Sequence, residues 1–115
     1  KNKNISNYIK LIDDIQIPQN NVHNDLQDFY YKITLVLKEY LQQRLYFKAT
    51  KMTSLEIISY LSKINMQILS LEELFKEADK FKFSKKNIGI TRILEDKERA
   101  KSILEEIERK ISFLD

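Results

Sequence analysis

Cysteine and tryptophan are absent from this sequence, and glycine, proline and histidine occur once each, as Gly89, Pro18 and His23. Each scarcity removes a class of explanation. Without cysteine there is no disulfide, no thiolate metal ligand and no thiol nucleophile, a composition that suits a reducing compartment. A single histidine cannot supply a two-histidine metal site or a HExxH protease motif, so His23 is expected to be structural or exposed. A lone glycine cannot build a phosphate-cradling loop, which needs several for close backbone approach. So few turn-formers also exclude a β-sandwich. Long apolar runs are missing as well: the start, Lys1-Asn2-Lys3-Asn4, leads into an amphipathic stretch, not a signal peptide.

What is present points to helices. The 115 residues are 43% hydrophobic and 32% charged, too apolar for a disordered tail and too charged for a membrane span. One domain of this length removes roughly two-thirds of its unfolded surface from water, enough for a core. Twenty basic against 17 acidic residues leave a net charge of +3, an excess that does not call for a nucleic acid.

Apolar residues recur with helical period. Ile5, Tyr8, Ile9, Ile12 and Ile15 form a short amphipathic helix that is expected to stop near Ile17, before Pro18, with Gln19 to Asn21 as a connection. From about Val22, with Asn21 as N-cap, the stripe Leu26, Phe29, Tyr30, Ile33, Val36, Leu37, Tyr40, Leu41 and Leu45 holds one face of a long helix. Phe47 to Met52 reads as a connector. Thr53-Ser54-Leu55-Glu56 has capping-box spacing and opens a third helix with Ile57, Ile58, Leu61 and Ile64 inward, stopped by Asn65 in a left-handed conformation. A second box at Ser70-Leu71-Glu72-Glu73 opens a fourth helix carrying Leu74, Phe75, Ala78 and Phe81 and ending near Phe83. After Ser84 to Ile90, Thr91 caps a last long helix with Ile93, Leu94, Ala100, Ile103, Leu104, Ile107, Ile111 and Leu114 inward. Its outer face offers the pairs Glu95 with Arg99, Glu105 with Arg109 and Glu106 with Lys110. The expected fold class is all-α: a compact bundle of about five helices, two of them long. Residues 1–20 form a membrane-proximal or docking helix plus connector, and 21–115 the core bundle. The lack of an initiator methionine suggests a fragment, and if the chain is cut from a larger protein, Lys1, Lys3 and Lys10 are expected to be the basic flank on the cytoplasmic side of a preceding membrane helix.

Carboxylates are expected on the polar faces, and no Glu-x-x-His partner exists for a di-metal bundle. No catalytic residue, metal or cofactor is expected. Two places carry candidate binding residues. Lys80-Phe81-Lys82-Phe83-Ser84-Lys85-Lys86 interleaves lysines with phenylalanines near a helix end. Lys80, Lys82, Lys85 and Lys86 would hold a single-stranded nucleic acid if the phenylalanines stack on bases. Alternatively the lysines complement the helix dipole while Phe81 and Phe83 enter the core, the preferred reading for a short patch poor in arginine. The long second helix and its exit are rich in aromatics, most of them core. Tyr31, beside the buried stripe, and Tyr46 and Phe47, at the exit, are the candidate anchors for a protein partner.

Taken in order, Asp28-Phe29-Tyr30 through Lys38-Glu39-Tyr40-Leu41, then Met52-Thr53-Ser54-Leu55-Glu56-Ile57, then Ala78-Asp79-Lys80-Phe81-Lys82-Phe83-Ser84, resemble the cytoplasmic helical domain of BatD-like and related uncharacterised proteins. The resemblance runs from about Tyr8 to Glu108. It implies a non-catalytic interaction domain of a membrane-anchored bacterial accessory protein, on the cytoplasmic side of the inner membrane. Its partners would be a MoxR-type AAA+ ATPase and von Willebrand factor A domain proteins, in envelope, stress-tolerance or complex-maturation roles. The membrane anchor would lie in a segment outside this chain. The family pattern usually has a glycine where Tyr46 stands, so the turn leaving the second helix is expected to differ in shape. Asp79 and Lys82 are expected to tie the fourth helix to its neighbours.

Overall fold

The periodic stripes become five helices in the computed structural model, which describes residues 2–18, 23–83 and 88–113. They are α1 (Asn2–Asp13), α2 (His23–Leu45), α3 (Ser54–Lys63), α4 (Leu69–Phe83) and α5 (Ile90–Ser112), with one 3-10 turn at Ala49–Lys51 after α2. No strand occurs among the described residues, and the fold is all-α. The expectations for Gln19 to Val22, Ser84, Lys85, Lys86 and Leu114, and for the side chains of Lys1, Lys3, His23 and Phe83, lie outside the described residues.

Two 23-residue helices, α2 and α5, form the frame. Along α2 every expected core position from Leu26 to Leu41 is buried, and Leu45 packs against the core edge. That face meets α4, α5 and α1. Burying each such side chain contributes roughly 1.5–3 kcal/mol, more than a cap, which contributes about 1 kcal/mol. The difference explains where the helix boundaries depart from the capping signals. Helix α4 begins at Leu69, one residue ahead of the expected capping box, because Met66 and Ile68 are buried and draw the chain into the core first; the Ile68 carbonyl accepts the Glu72 amide at 3.2 Å. Ser70, already within the first turn, instead donates to Glu106 Oε1 on α5 at 3.0 Å. Likewise α5 starts at Ile90, and Gly89, not Thr91, is its N-cap. Gly89 adopts extended φ −75° and so does not exploit glycine's freedom.

Helix α1 also ends earlier than expected, at Asp13. The Lys97 ammonium from α5 takes the carbonyls of Asp13 at 2.9 Å and Ile15 at 2.6 Å, satisfying the helix end while Ile15 and Ile17 pack on the core as loop residues. On α5 the inward face contains Ile93, Asp96, Ala100, Ile103, Leu104, Ile107 and Ile111; Leu94 is exposed, and the inward slot nearby is taken by Asp96. The expected outer-face pairs on α5 give way to other bonds. Arg99 lies 4.0 Å from Asp96, Glu106 accepts from Ser70, and Lys110 donates to the Gln67 carbonyl at 2.9 Å.

The signals around α3 hold. Thr53 and Glu56 form the reciprocal capping box, at 3.2 and 2.8 Å. At its far end Asn65 takes φ 58°, with Met66 N–H donating to Leu61 C=O and Asn65 N–H to Ser62 C=O, the paired bonds of a Schellman stop. Tyr46 ends α2 in the same way, at φ 60°, its amide donating to the Gln42 carbonyl at 3.0 Å. The turn therefore has the left-handed backbone that a glycine would favour. A β-carbon in this region costs about 1 kcal/mol. Tyr46→Gly should accordingly raise the melting temperature by a few degrees, since the 89%-exposed ring contributes little burial. Thermal unfolding by circular dichroism checks this; a lower melting temperature would show that the ring packs more than its exposure indicates.

Candidate protein-binding groove

Beside its buried stripe, α2 carries a second row of residues at helical spacing: Gln27, Tyr31, Thr34 and Lys38. This row faces Ala78, Asp79 and Lys82 of α4, and with Ser54 at the start of α3 they line a groove of about 370 Å³. Tyr30, almost wholly buried, also lines it, and Tyr31, 61% exposed, forms its lip. Thr34 donates its hydroxyl to the Tyr30 and Tyr31 carbonyls at 3.0 and 3.1 Å, so it has no proton left to donate and offers a ligand its methyl and the oxygen lone pairs. Gln27 Nε2 donates to the Lys82 carbonyl at 3.1 Å, pinning the end of α4 against α2.

Lys38 sits half-buried in this groove, with its ammonium donating to the Met52 carbonyl at 3.1 Å. Burial holds its pKa below the ordinary lysine value; the Lys82 charge pushes the same way and Asp79 opposes. The Asp79 and Lys82 side chains pair with each other at 3.5 Å along α4, and the tie from α4 to α2 at this point runs through the Lys82 carbonyl.

The groove stands on a buried polar cluster. Asp96 of α5 is wholly buried and accepts the Tyr30 hydroxyl at 2.5 Å through Oδ2, while Oδ1 has no hydrogen-bond partner among the described residues. Arg92 lies 3.5 Å from Asp96 Oδ1 and donates to Glu77 Oε1 at 2.8 and 3.2 Å. The expectation that carboxylates keep to the polar faces is thus corrected for Asp96 and for Glu77, also buried. Desolvation drives the Asp96 pKa up to about 6, with Glu77 adding to the rise and the Tyr30 and Arg92 contacts opposing it. Burial first, and then Asp96, push the Tyr30 hydroxyl pKa well above its ordinary value.

Of the residues singled out in the sequence, the groove brings together Tyr31 and Lys82. Lys80 is exposed on α4 and does not line it. Phe81 is buried, its ring stacked on Tyr30 with centroids 4.8 Å apart and planes at 6°, so it is not free to stack on a base. Tyr46 is exposed, but it lies 15 residues along the chain from Tyr31, about 22 Å at the helical rise. Phe47 is corrected as a partner anchor: it is buried and stacks on Tyr60 of α3, centroids 4.1 Å apart. Lys38, Thr34 and Gln27 were not singled out, although their spacing with Tyr31 was there to be seen. Among the described residues no group of three or more His, Asp or Glu could hold a metal ion, and no helix is long and apolar enough to cross a membrane.

No family model, curated protein or solved structure matches the chain.

The cluster makes a pH prediction. Below about pH 4 Asp96 is protonated in both folded and unfolded chains; as pH rises the unfolded chain ionises first, so folding loses stability until the folded pKa of about 6 is passed. Asp96→Asn removes that charge and keeps an acceptor for Tyr30. Its stability relative to wild type should therefore climb by on the order of 2 kcal/mol between about pH 4 and 6 and level off above. Glu108, whose pKa is lowered chiefly by its bond to Arg44, acts in the opposite sense: its contribution is lost as pH falls below the ordinary carboxylate range. Denaturant titrations of both proteins across this range check the claim, and a gap independent of pH would refute it.

Proposed function

We propose that the chain is a non-catalytic interaction domain that takes a segment of a partner protein into the groove between α2 and α4. The observation that carries this reading is Tyr31, a large aromatic side chain left exposed at the lip of a groove whose walls are fixed by buried packing. Aromatic anchors beside small apolar and polar lining are the usual make-up of a binding hot spot. The resemblance to BatD-like proteins supports a more particular proposal: an accessory protein tethered to the inner membrane by a segment outside this chain. There it would present the domain on the cytoplasmic side to a MoxR-type AAA+ ATPase and von Willebrand factor A proteins.

Pull-down from lysate of the source cells, with and without nuclease treatment and with wild type and Tyr31→Ala as baits, tests both levels. Recovery of the ATPase or a von Willebrand factor A protein by wild type, reduced about tenfold or more by Tyr31→Ala, is the expected result. Equal recovery by both baits would remove the groove from the interaction. Recovery of nuclease-sensitive material alone would move the function to nucleic acid.

A further inference from the structure

Charge in the groove is unevenly matched. Asp28, on its rim, is paired with Lys32 at 2.8 Å, and Lys82 with Asp79 at 3.5 Å. Lys38 makes no ion pair among the described residues; one of its three N–H donors is used by the Met52 carbonyl. A desolvated ammonium with unused donors gains from an anion that reaches it, because a charge-assisted bond in a partly dehydrated groove is stronger than one in open water. The groove selects among anions. Its lining charges are Lys38, Lys82, Asp28 and Asp79, so a phosphate dianion or a polyanion would meet two carboxylates. A single carboxylate matches the one cation left without a counter-charge. The rest of the lining, with Ala78, the Thr34 methyl and the Tyr31 lip, is suited to an apolar side chain next to that carboxylate.

We infer that the occupant of the groove is an acidic–apolar peptide segment of a partner protein, its Asp or Glu carboxylate bonded to Lys38 and its neighbouring apolar side chain covered by Tyr31. The inference rests on the groove being the docking surface, and it adds the chemistry that the docked segment must carry. It also assigns Lys38 a binding role that its position beside the buried stripe had hidden.

The test uses a displayed library of random linear peptides selected on the folded domain, followed by affinity measurements on synthetic peptides from the enriched pool. Enriched peptides should share an acidic residue flanked by apolar ones. Replacing that residue by its amide should weaken binding about tenfold or more. Tyr31→Ala and Lys38→Gln should each weaken it to a similar degree, and Lys38→Arg should retain most of it. The amide exchange leaves the protein untouched, so the result stands even if Lys38→Gln destabilises the fold by releasing the Met52 carbonyl. Peptides that need Tyr31 but are indifferent to the amide exchange would overturn the inference and leave the groove reading intact. Peptides indifferent to Tyr31→Ala, or no enrichment at all, would overturn both. Retention of a single-stranded oligonucleotide in preference to every selected peptide would overturn the inference as well.

Discussion

The Tyr30 side chain joins three helices through contacts of different kinds, and the position of the groove follows from them. Its hydroxyl donates to Asp96 on α5, its face stacks on Phe81 of α4, and its edge meets Phe29 on its own helix. The residue is almost wholly buried, yet it is also one of those that line the groove. The hydrogen bond has a direction that apolar packing lacks. Leucine-rich helices can slide or rotate against one another at modest cost, whereas a buried carboxylate that needs this hydroxyl fixes the register of α5 against α2. The cost is visible in the same place: Asp96 is desolvated, and one of its oxygens lacks a hydrogen bond among the described residues.

A second polar tie holds the opposite end of the same helix pair. Arg44 grips Glu108 with two bonds of 2.9 and 2.8 Å, and the Tyr40 hydroxyl donates to the same carboxylate. Tyr8 of α1 packs its ring edge-on against Tyr40, centroids 5.1 Å apart, which draws the short first helix into the arrangement. Lys97 and Lys101 of α5 complete that attachment by holding the end of α1, with Lys101 bonded to Asp13 at 2.8 Å. The Lys101–Asp13 pair is solvent-screened and weak by itself. The buried Tyr30–Asp96 tie and the half-buried Arg44–Glu108 tie between α2 and α5 set the geometry, and the exposed charges trim it.

Most of this architecture was legible in the sequence, because apolar periodicity is strong along α2 and capping signals are local. The Thr53 box and the Asn65 stop were read correctly, since each depends only on residues within one turn. Where tertiary burial competed with a local signal, burial prevailed: Met66 and Ile68 moved the start of α4 ahead of the Ser70 box. Asp96 was misread because an aspartate in an inward slot looks like an interruption until its partner Tyr30, 66 residues away, is in view. Leu94 was taken for the core residue in its place. The groove was half legible. Tyr31 stood out as an aromatic beside the stripe, but nothing in the local sequence distinguished Lys38. Only the approach of α4 and the Met52 carbonyl leaves it half-buried. Phe47 shows the reverse error, an aromatic at a helix exit that packs inward on Tyr60.

The groove and the core are thus coupled through one residue, and any account of partner binding inherits the energetics of the Tyr30–Asp96 bond. A double-mutant cycle with Tyr30→Phe and Asp96→Asn, measured as unfolding free energy at pH 7, tests that coupling most directly. Loss of the hydroxyl should cost about 1 kcal/mol or more beyond what it costs in the D96N background, since only the ionised carboxylate depends on it so strongly. Equal costs in the two backgrounds would mean that the bond does not hold α2 and α5 in register, and that apolar packing alone positions the groove.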